Sequence, residues 1–594
     1  MWVNEKYCNP GFNGDHMRLL TIVSALCLTS FCEAQNNYVL TADSKTKDQV
    51  KYGEHIYAVF PASRIFPGTI RNVDIYVPEA YDGKTPATVC VFQDGMLYNA
   101  DTVVSNLIAA KEIPVMLLVA ASPGRVIGDY DAESARENRT YEYDTPSPQF
   151  GEFLLNELFP FIETLQTKSG KKIILSRNRD DRMIAGCSSG AACAFNVAWY
   201  TDAFSRVYSS CGSYTGLRGS FVSNTLVNKF ETKPIRFFLQ SGSRDMWTSF
   251  GDWWAANQTM ARALEFAGYD FTYRFTEQAQ HCDGDGTVVF PEVLRFLWKG
   301  YPGNKPFPVQ PTRNLMLSQI LPDNKQFEQV AEGIGSAKLL ADNTGNVLIA
   351  RVGSTHMLDT SGRQGGPLSD VEILSIGHAG ERLLFDSVKM RLRVITAGGT
   401  VRTINKQIMA TGAVALRDGG FYVVGKSGNS HLSTIWYLSE KYQLSEKAIA
   451  ANLIGSIALS GNNNWLYAFD YHTRRGYSYK VDRNNKDILF KQEFFSIHIP
   501  DQFDAAETLS AITDDAGRTY LATNLGIQIC DYNGRCEGIL SLPGNIRPVS
   551  LAWGGAALNW LYVLDDSGRI YRRQLHVKGS SPASPMPAIR VGAG

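Results

Sequence analysis

The chain has 594 residues, of which 44% are apolar and 11% aromatic, and its 58 basic side chains balance 58 acidic ones. This composition excludes a disordered or fibrous protein, and the balanced charge indicates neither nucleic acid nor an anionic membrane surface as a partner. Because the length exceeds what one hydrophobic core usually serves, we expect at least two domains.

Residues 1–34 are predicted to be a signal peptide. From Met17 the sequence reads MRLLTIVSALCLTSFCEAQNNY, with one arginine, an apolar run and small residues before Gln35. This pattern is typical of a secretory leader that starts at Met17, and the apolar run is too short to span a membrane. A lipid anchor at Cys32 is the alternative, but the bulky Phe31 precedes it where lipoprotein signals have a small residue. We therefore expect a secreted or periplasmic protein.

Seven cysteines follow this leader, and an odd number does not indicate a disulfide framework. Only Cys530 and Cys536, which flank the turn DYNGR, are spaced for a local bridge, and the spacing alone does not decide it. The sequence reveals no role for Cys187.

The segment 35–300 is predicted to be an α/β domain. Short β-branched runs alternate with helical patterns, which indicates a mostly parallel sheet with helices on both faces. The predicted strands are RNVDIYVP, ATVCVFQ, PVMLLVA, RMIAG, RVYSSCG, IRFFLQS and FTYRFTE, and the predicted helices include QFGEFLLNELFPFIETL and WWAANQTMARALEFAG. The proline-rich segment 301–313 reads as a linker.

The segment 314–594 is predicted to be a β-propeller. Apolar alternation, a Gly or Asn turn and a strand with a tyrosine recur, and the steps between Tyr422, Tyr467, Tyr520 and Tyr562 are 45, 53 and 42 residues. A blade of four strands takes about 40 to 50 residues. Because KMRLRVITAGGTVRTI supplies a further blade, five or six blades follow, and six is favoured.

The stretch GCSSG, residues 186–190, has the pattern of a nucleophile elbow. A short buried strand, RMIA, precedes it and the alanine-rich helix AACAFNVAWY follows. Such a turn lifts a serine hydroxyl out of the sheet at the positive end of a helix, which selects Ser188 as the nucleophile. Without that context, a serine between glycines is an ordinary turn.

The base and the acid are predicted in loops after the last two strands. His281 follows FTYRFTE, and the loop after IRFFLQ offers Asp245 and Asp252. Asp245 is favoured as the acid because Asp252 directly precedes a helix and reads as its N-cap.

Acyl transfer also requires hydrogen-bond donors for the oxyanion. The backbone N–H of Ser189 is one candidate, and Gly95 and Met96, in the turn after ATVCVFQ, are the others. Asp94 and Trp247 are weaker candidates for substrate contact. Tryptophans near the acid loop would stack on a sugar ring if exposed, although core packing is their more common role.

With these residues in place, the first domain resembles the esterase family that includes enterochelin, feruloyl and acetyl xylan esterases. The similar segments run from about Ile65 to Pro302 and are FPGTIRNVDIYVPEAYD, VFQDGMLY, NRTYEYD, GCSSG, GSRDMWTSFGDWWAANQ and QHCDGDG. The resemblance implies an α/β-hydrolase fold, a triad of Ser188, Asp245 and His281, and ester hydrolysis without a metal or cofactor. The histidine loop departs from the family's glycine-rich form, since Cys282 follows the base.

The second domain resembles the gluconolactonase, regucalcin and senescence-marker family of propellers from about Phe327 to Leu575. Members hold a divalent cation with a Glu, two Asn and an Asp. Only Glu332 matches, whereas the other positions carry Thr411, Gly455 and Leu509. Because a hard cation needs about six oxygen ligands, we expect no metal site and no lactonase activity here.

The sequence therefore predicts a serine esterase that acts through an acyl-enzyme on a small-molecule or oligosaccharide ester. Acetyl or feruloyl saccharides are the first substrate class and siderophore esters the alternative. A metal-dependent lactonase in the propeller is a rival hypothesis, and glycan binding by the propeller is a third.

Overall fold

The computed structural model describes residues 38–127, 136–303, 310–323, 325–359, 362–428, 430–450, 452–499, 501 and 503–582. The predicted leader at 1–34 lies outside these residues. The described residues from Tyr38 onward form one compact unit. None of the described helices is both long and apolar enough to cross a lipid bilayer.

An eight-stranded sheet forms the centre of the first half. Its strands are β1 Glu54–Phe60, β2 Arg71–Val77, β3 Thr88–Gln93, β4 Met116–Ala121, β7 Arg182–Cys187, β8 Arg206–Ser210, β9 Arg236–Arg244 and β12 Asp270–Gln280; two small ribbons pair β5 Arg125–Val126 with β6 Arg136–Glu137 and β10 Trp247–Thr248 with β11 Gly251–Asp252. The order is β1-β2-β4-β3-β7-β8-β9-β12. The ladders that involve β2 are antiparallel and the others are parallel.

Helices cover both faces of this sheet. They are α1 Ala100–Ala109, α2 Arg139–Asp144, α3 Gln149–Phe153, a π-helical turn Leu154–Leu158, α4 Phe159–Ile162, α5 Ser189–Thr201, α6 Val222–Lys229, α7 Trp253–Ala267 and α8 Asp285–Leu297, with 3₁₀ turns at Ala42–Ser44, Arg179–Asp181 and Leu217–Gly219. Successive residues of a strand point to opposite faces, so Val89 and Val91 enter the core that contains α5 and α7, whereas Cys90 and Phe92 enter the core that contains α1 and α8. The predicted α/β-hydrolase architecture is confirmed.

The second half is a six-bladed propeller, as favoured from the repeat spacing. After α9 Leu315–Ile320, the blades are β14–β17 (Lys338–Ala341, Val347–Arg351, Ser354–Leu358, Gln364–Ser369), β18–β21 (Glu372–Ile376, Arg382–Asp386, Arg391–Ile395, Val401–Gln407), β22–β25 (Met409–Ala415, Phe421–Lys426, Thr434–Leu438, Leu444–Ile449), β26–β29 (Ile454–Leu459, Trp465–Asp470, Arg475–Val481, Ile488–Ser496), β30–β33 (Ser510–Thr513, Thr519–Thr523, Gly526–Cys530, Cys536–Leu540) and β34–β36 (Pro548–Gly554, Trp560–Asp565, Ile570–Gln574). A 3₁₀ turn, Pro543–Asn545, precedes β34. Strand β13, Glu328–Ala331, pairs with β36, so the first propeller strand completes the last blade and closes the ring.

The two folds share a hydrophobic core. Trp199 and Phe230 of the hydrolase half belong to the same buried cluster as Phe469 and Ile539 of the propeller. Across this junction Arg573, whose side chain is 2% exposed, donates to both carboxylate oxygens of Glu231, at 2.7 and 2.9 Å. The two halves are therefore packed as one body.

A buried lysine lies at the same junction. The ammonium of Lys233 donates to the carbonyl oxygen of Trp199 at 2.6 Å and to Asn545 Oδ1 at 2.9 Å. Burial lowers the pKa of Lys233 to about 7. The hydrogen bonds of this lysine therefore connect the hydrolase half directly to the propeller.

The local bridge for which Cys530 and Cys536 are spaced does not form. The two residues are register partners on β32 and β33, but both are free, buried thiols. A register shift interrupts the ladder at Cys530, and the Cys536 thiol lies 3.4 Å from Gln528 Oε1. The bridge in this protein joins other cysteines.

Candidate active site

Ser188 lies in a sharp turn between β7 and α5. Its φ of 59° and ψ of −124° are unusual for a residue with a side chain, and it occupies the N-cap position of α5. A Cβ added at Gly186 would lie 2.3 Å from the backbone carbonyl of Gly190. The glycine at 186 therefore allows the strand to turn directly into the helix, as the elbow pattern predicts.

Asp245 and His281 meet because they follow neighbouring parallel strands. Each is the first residue beyond its strand, β9 or β12, and Gln280 is paired with Arg244. His281 Nδ1 lies 2.5 Å from Asp245 Oδ1. Ser241 Oγ and the N–H of Met246 donate to the same carboxylate, at 2.7 and 2.8 Å.

The environment of Asp245 favours its charged form. Its side chain is fully buried, and this burial acts to raise the pKa. The hydrogen bond and the charge of His281, with the donors Ser241 and Met246, outweigh burial and hold the pKa of Asp245 below its usual value. The other candidate acid, Asp252, instead caps α7 by accepting from the N–H of Ala255 at 3.1 Å.

A disulfide joins the two loops that carry Ser188 and His281. It links Cys187, immediately before Ser188, to Cys282, immediately after His281, with a Cα–Cα distance of 6.2 Å. This bridge gives Cys187 the role that the sequence does not reveal. Neither the odd cysteine count nor the 95-residue separation signals it.

The hydroxyl of Ser188 contacts a second serine. Ser188 Oγ lies 3.2 Å from Ser213 Oγ, and within the described residues no hydrogen bond joins Ser188 to His281. Such bonds are often long in the absence of substrate and shorten in the reacting complex. The structure thus brings Asp245 and His281 into contact. The Cys187–Cys282 disulfide joins the residue before Ser188 to the residue after His281 and so links the two loops covalently.

The predicted oxyanion donors are free. Ser189 is the first residue of α5, and no hydrogen bond within the described chain uses its N–H or the N–H of Gly95 or Met96. The turn that follows β3 lies beside the elbow, because a Cβ at Gly190 would lie 3.2 Å from Asp94 Oδ2. Gly95 and Met96 also line a cleft of about 490 Å³.

Charged groups flank this turn. Asp94 accepts two hydrogen bonds from Arg139, at 2.7 and 2.9 Å, and is therefore held in an ion pair beside the cleft. Glu142 forms a fully buried ion pair with Arg71. Burial, opposed in part by the hydroxyl of Ser189, raises the pKa of Asp144 to about 7.

The tryptophans near the acid loop have different environments. Trp253 is 1% exposed, as expected of a core residue, and donates through Nε1 to Ser213. Trp247 is 84% exposed on the β10–β11 hairpin, and Phe250 on the same hairpin is 53% exposed. The core interpretation is therefore wrong for Trp247.

Three ligand-type atoms cluster beside the disulfide, from Cys211, Asp245 and His281. His281 Nδ1 is already paired with Asp245, so two of these three atoms belong to the candidate acid–base pair.

The propeller encloses a central cavity of about 250 Å³ that residues of all six blades line. At its wall Lys338 Nζ donates to Glu372 Oε1 at 2.9 Å and to the carbonyl oxygen of Thr411 at 2.8 Å. Glu332 is exposed and does not line this cavity. A divalent cation does not fit beside this ammonium, because the two positive charges would repel each other at the same oxygen ligands.

The fold and the elbow together define an α/β-hydrolase that continues into a six-bladed propeller. Residues 65–270 match the family model described as "Putative esterase". This match supports an esterase activity in the first half, and with it a small-molecule ester substrate. Among curated proteins, none matches the chain.

Several solved structures are similar to one half of the chain or the other. A gluconolactonase from Xanthomonas campestris is 11% identical, covers 44% of this chain and 93% of its own, and has a TM-score of 0.38. A ferulic acid esterase from the anaerobic fungus Anaeromyces mucronatus is 16% identical, with 43% and 93% coverage and a TM-score of 0.32. An enterochelin esterase from Shigella flexneri is 18% identical, with 42% and 60% coverage and a TM-score of 0.33.

Proposed function

We propose that this protein is a serine carboxylic-ester hydrolase that acts through an acyl-enzyme. The observation that carries the proposal is the pairing of His281 with Asp245 in loops that a disulfide ties to the Ser188 elbow. A nucleophile, an oriented base and free backbone donors are the parts that acyl transfer requires.

In the proposed reaction His281 Nε2 takes the proton of Ser188 while Oγ attacks the ester carbonyl. The N–H of Ser189 and a donor from Gly95 or Met96 stabilise the oxyanion. Collapse of the tetrahedral intermediate transfers the proton from His281 to the leaving alcohol and leaves the acyl group on Ser188. Water, deprotonated by the same imidazole, then releases the acid. Asp245 keeps Nδ1 protonated and stabilises the imidazolium.

The test is hydrolysis of an aryl acetate by purified variants. Ser188→Ala is expected to abolish turnover, and Asp245→Asn to lower kcat by about 10⁴-fold, as loss of the orienting carboxylate does in other triads. Asp252→Asn is the matched control, because its carboxylate caps a helix; it should retain most of the activity. Unchanged turnover by Ser188→Ala would remove the serine mechanism.

We propose acetyl or feruloyl esters of saccharides as the substrate class, with siderophore esters as the second candidate. The exposed rings of Trp247 and Phe250 on the hairpin after Asp245 support this proposal, since flat apolar rings stack on the apolar faces of sugars or on an aromatic acyl group. Trp247→Ala should raise KM for an acylated oligosaccharide while leaving KM for an aryl acetate unchanged. An equal effect on both substrates would argue against a sugar-binding role.

We propose that the protein is secreted or periplasmic. Its proposed organisation is a leader at 1–34, a hydrolase domain at 35–300, a linker at 301–313 and a propeller at 314–594. Disulfides persist in oxidising compartments, so the Cys187–Cys282 bridge supports export. Edman sequencing of the exported protein should begin at Gln35.

We propose that the propeller is non-catalytic and binds a glycan. Its central cavity supports a binding role, and the Lys338–Glu372 pair at the cavity wall argues against a metal-dependent lactonase. Glycan-array binding by the full-length Ser188→Ala protein that persists in the Ser188→Ala, Trp247→Ala double variant tests the first statement. Lactone hydrolysis that survives Ser188→Ala and stops with a chelator would contradict the second.

A further inference from the structure

Ser213 makes two contacts with the proposed nucleophile. It lies three residues beyond β8, the strand next to the one that leads into the elbow, and its N–H donates to the carbonyl oxygen of Ser188 at 3.2 Å. Its side-chain oxygen lies 3.2 Å from Ser188 Oγ. Ser213 therefore touches the reacting atom itself.

The direction of this hydrogen bond follows from the available donors. Trp253 Nε1, which is only a donor, lies 3.0 Å from Ser213 Oγ and occupies one of its lone pairs. Ser213 is 0% exposed, and Ser188 Oγ is the acceptor within reach for its proton among the described residues. The opposite direction would leave a buried hydroxyl proton without an acceptor, which is destabilising. Ser213 thus donates and Ser188 accepts.

The helix α7 fixes Ser213 in this orientation. Trp253 and Asn257 are four residues apart and lie on the same helix face. The buried amide of Asn257 accepts from the N–H of Gly212 at 3.1 Å and donates to the Gly212 carbonyl at 3.0 Å, which holds the backbone next to Ser213. Trp253 also packs edge-on against the ring of His281, at a centroid distance of 6.0 Å. One helix face thus supports both the base and the second hydroxyl.

We propose that Ser213 is a further catalytic residue, a hydrogen-bond donor to Ser188 Oγ whose orientation Trp253 sets. This proposal rests on the proposed serine mechanism. As His281 removes the Ser188 proton, negative charge develops on Oγ, and the Ser213 hydroxyl stabilises it. The same donor stabilises Oγ when it becomes the leaving group in deacylation. Because Ser188 accepts from Ser213, its own proton remains available to His281.

The experiment measures kcat, KM and the pre-steady-state acylation rate of full-length variants with an aryl acetate, across pH. A hydrogen bond to a charged group affects a rate by roughly 10- to 100-fold, so Ser213→Ala should slow acylation by that factor with KM little changed. Trp253→Phe removes the N–H and leaves a smaller aromatic ring. It should slow acylation by a smaller factor, since Ser213 can then accept as well as donate.

The matched control is Ser209→Ala, which removes a fully buried hydroxyl of β8 that pairs with Tyr214 instead of Ser188. It should retain acylation within about twofold of the wild type, because the lost hydroxyl contacts Tyr214 and no reacting atom, so its loss lowers stability instead of the rate. The acid-limb pKa of kcat/KM should be the same in Ser213→Ala and wild type, since the His281–Asp245 pair is untouched.

Equal acylation rates in Ser213→Ala and Ser209→Ala would overturn the proposal. So would a shift of the acid-limb pKa of kcat/KM large enough to explain the whole loss of acylation rate in Ser213→Ala. Failure of the proposed mechanism is distinguishable from either result, because Ser188→Ala would then remain active. If Ser188→Ala is inactive and Ser213→Ala is unimpaired, the serine mechanism stands and the role of Ser213 does not.

Discussion

Opening the Cys187–Cys282 bridge should reduce both stability and activity. The bridge closes a loop of 95 residues, and the chain-entropy relation gives about 4.7 kcal/mol of stabilisation for a loop near that length. Native disulfides typically contribute less than this relation gives, about 2–4 kcal/mol. We therefore expect the free energy of unfolding of the Cys187→Ser, Cys282→Ser double variant to fall by about 2–4 kcal/mol.

The catalytic effect has a separate cause. Without the bridge His281 is held to the elbow only by non-covalent contacts, and a displacement of about 1 Å in a catalytic group can lower the rate about 100-fold. We expect kcat/KM to fall roughly 10- to 100-fold in the double variant. Urea unfolding and aryl acetate hydrolysis, each with and without a thiol reductant, measure the two effects.

The double variant is also the control for the reductant. A reductant should bring the wild type to the stability and activity of the double variant, and should leave the double variant unchanged. If mass spectrometry shows the bridge open in the wild type while the unfolding midpoint and kcat/KM stay the same, the reasoning is refuted.

Three further predictions concern the scaffold. Glu231→Ala leaves the buried guanidinium of Arg573 unpaired and should lower the free energy of unfolding by about 3 kcal/mol in urea melts. The control is Glu328→Ala, which removes a half-exposed carboxylate and should cost less than about 1 kcal/mol. Equal losses in the two variants would contradict a structural role for the Arg573–Glu231 pair. Burial raises the pKa of Asp144 to about 7. Between about pH 4 and pH 7 the folded state therefore holds a proton that the unfolded state has released, so the free energy of unfolding falls as the pH rises through this range. Asp144→Asn should gain up to about 4 kcal/mol on wild type between pH 4 and 8, and identical pH slopes in chemical denaturation would exclude this. Gly186→Ala places a Cβ 2.3 Å from backbone and should prevent labelling by a fluorophosphonate; normal labelling would show that the elbow tolerates it.

Local patterns predicted much of the α/β fold. All seven strands predicted from β-branched runs are present. The central strands β3 and β7 lie in parallel ladders and are buried on both faces, so they form nearly continuous apolar segments in the sequence. The sequence does not predict the strand Glu54–Phe60, because polar and apolar residues mix along it at the sheet edge. The strand-turn-helix position of Ser188 is also predicted from the sequence, and close backbone contact explains the glycine at 186.

Long-range pairings were not readable. Cys187 and Cys282 are 95 residues apart, and nothing in their local sequence links them. Ser213 follows an ordinary strand end, and its importance depends on the donor Trp253, forty residues later. The four-residue spacing of Trp253 and Asn257 predicts that both lie on one helix face. The sequence does not predict that both contact the loop at Gly212 and Ser213.

The propeller shows the same limit. The repeat of tyrosine strands indicates five or six blades and favours six, because each blade repeats a local pattern. The Lys338–Glu372 pair joins the inner strands of two neighbouring blades, so its presence at the wall of the central cavity depends on how those blades pack. The shared core between the propeller and the hydrolase likewise depends on tertiary packing, which periodicity does not encode.

The most direct test of the central claim is to map the residue that a fluorophosphonate modifies in the intact protein. Mass spectrometry of the labelled wild type should find one adduct, on Ser188, that is absent from Ser188→Ala, strongly reduced in His281→Ala and retained in Ser189→Ala. An adduct on another residue, or labelling of Ser188→Ala at the wild-type rate, would contradict the assignment of Ser188 as the nucleophile.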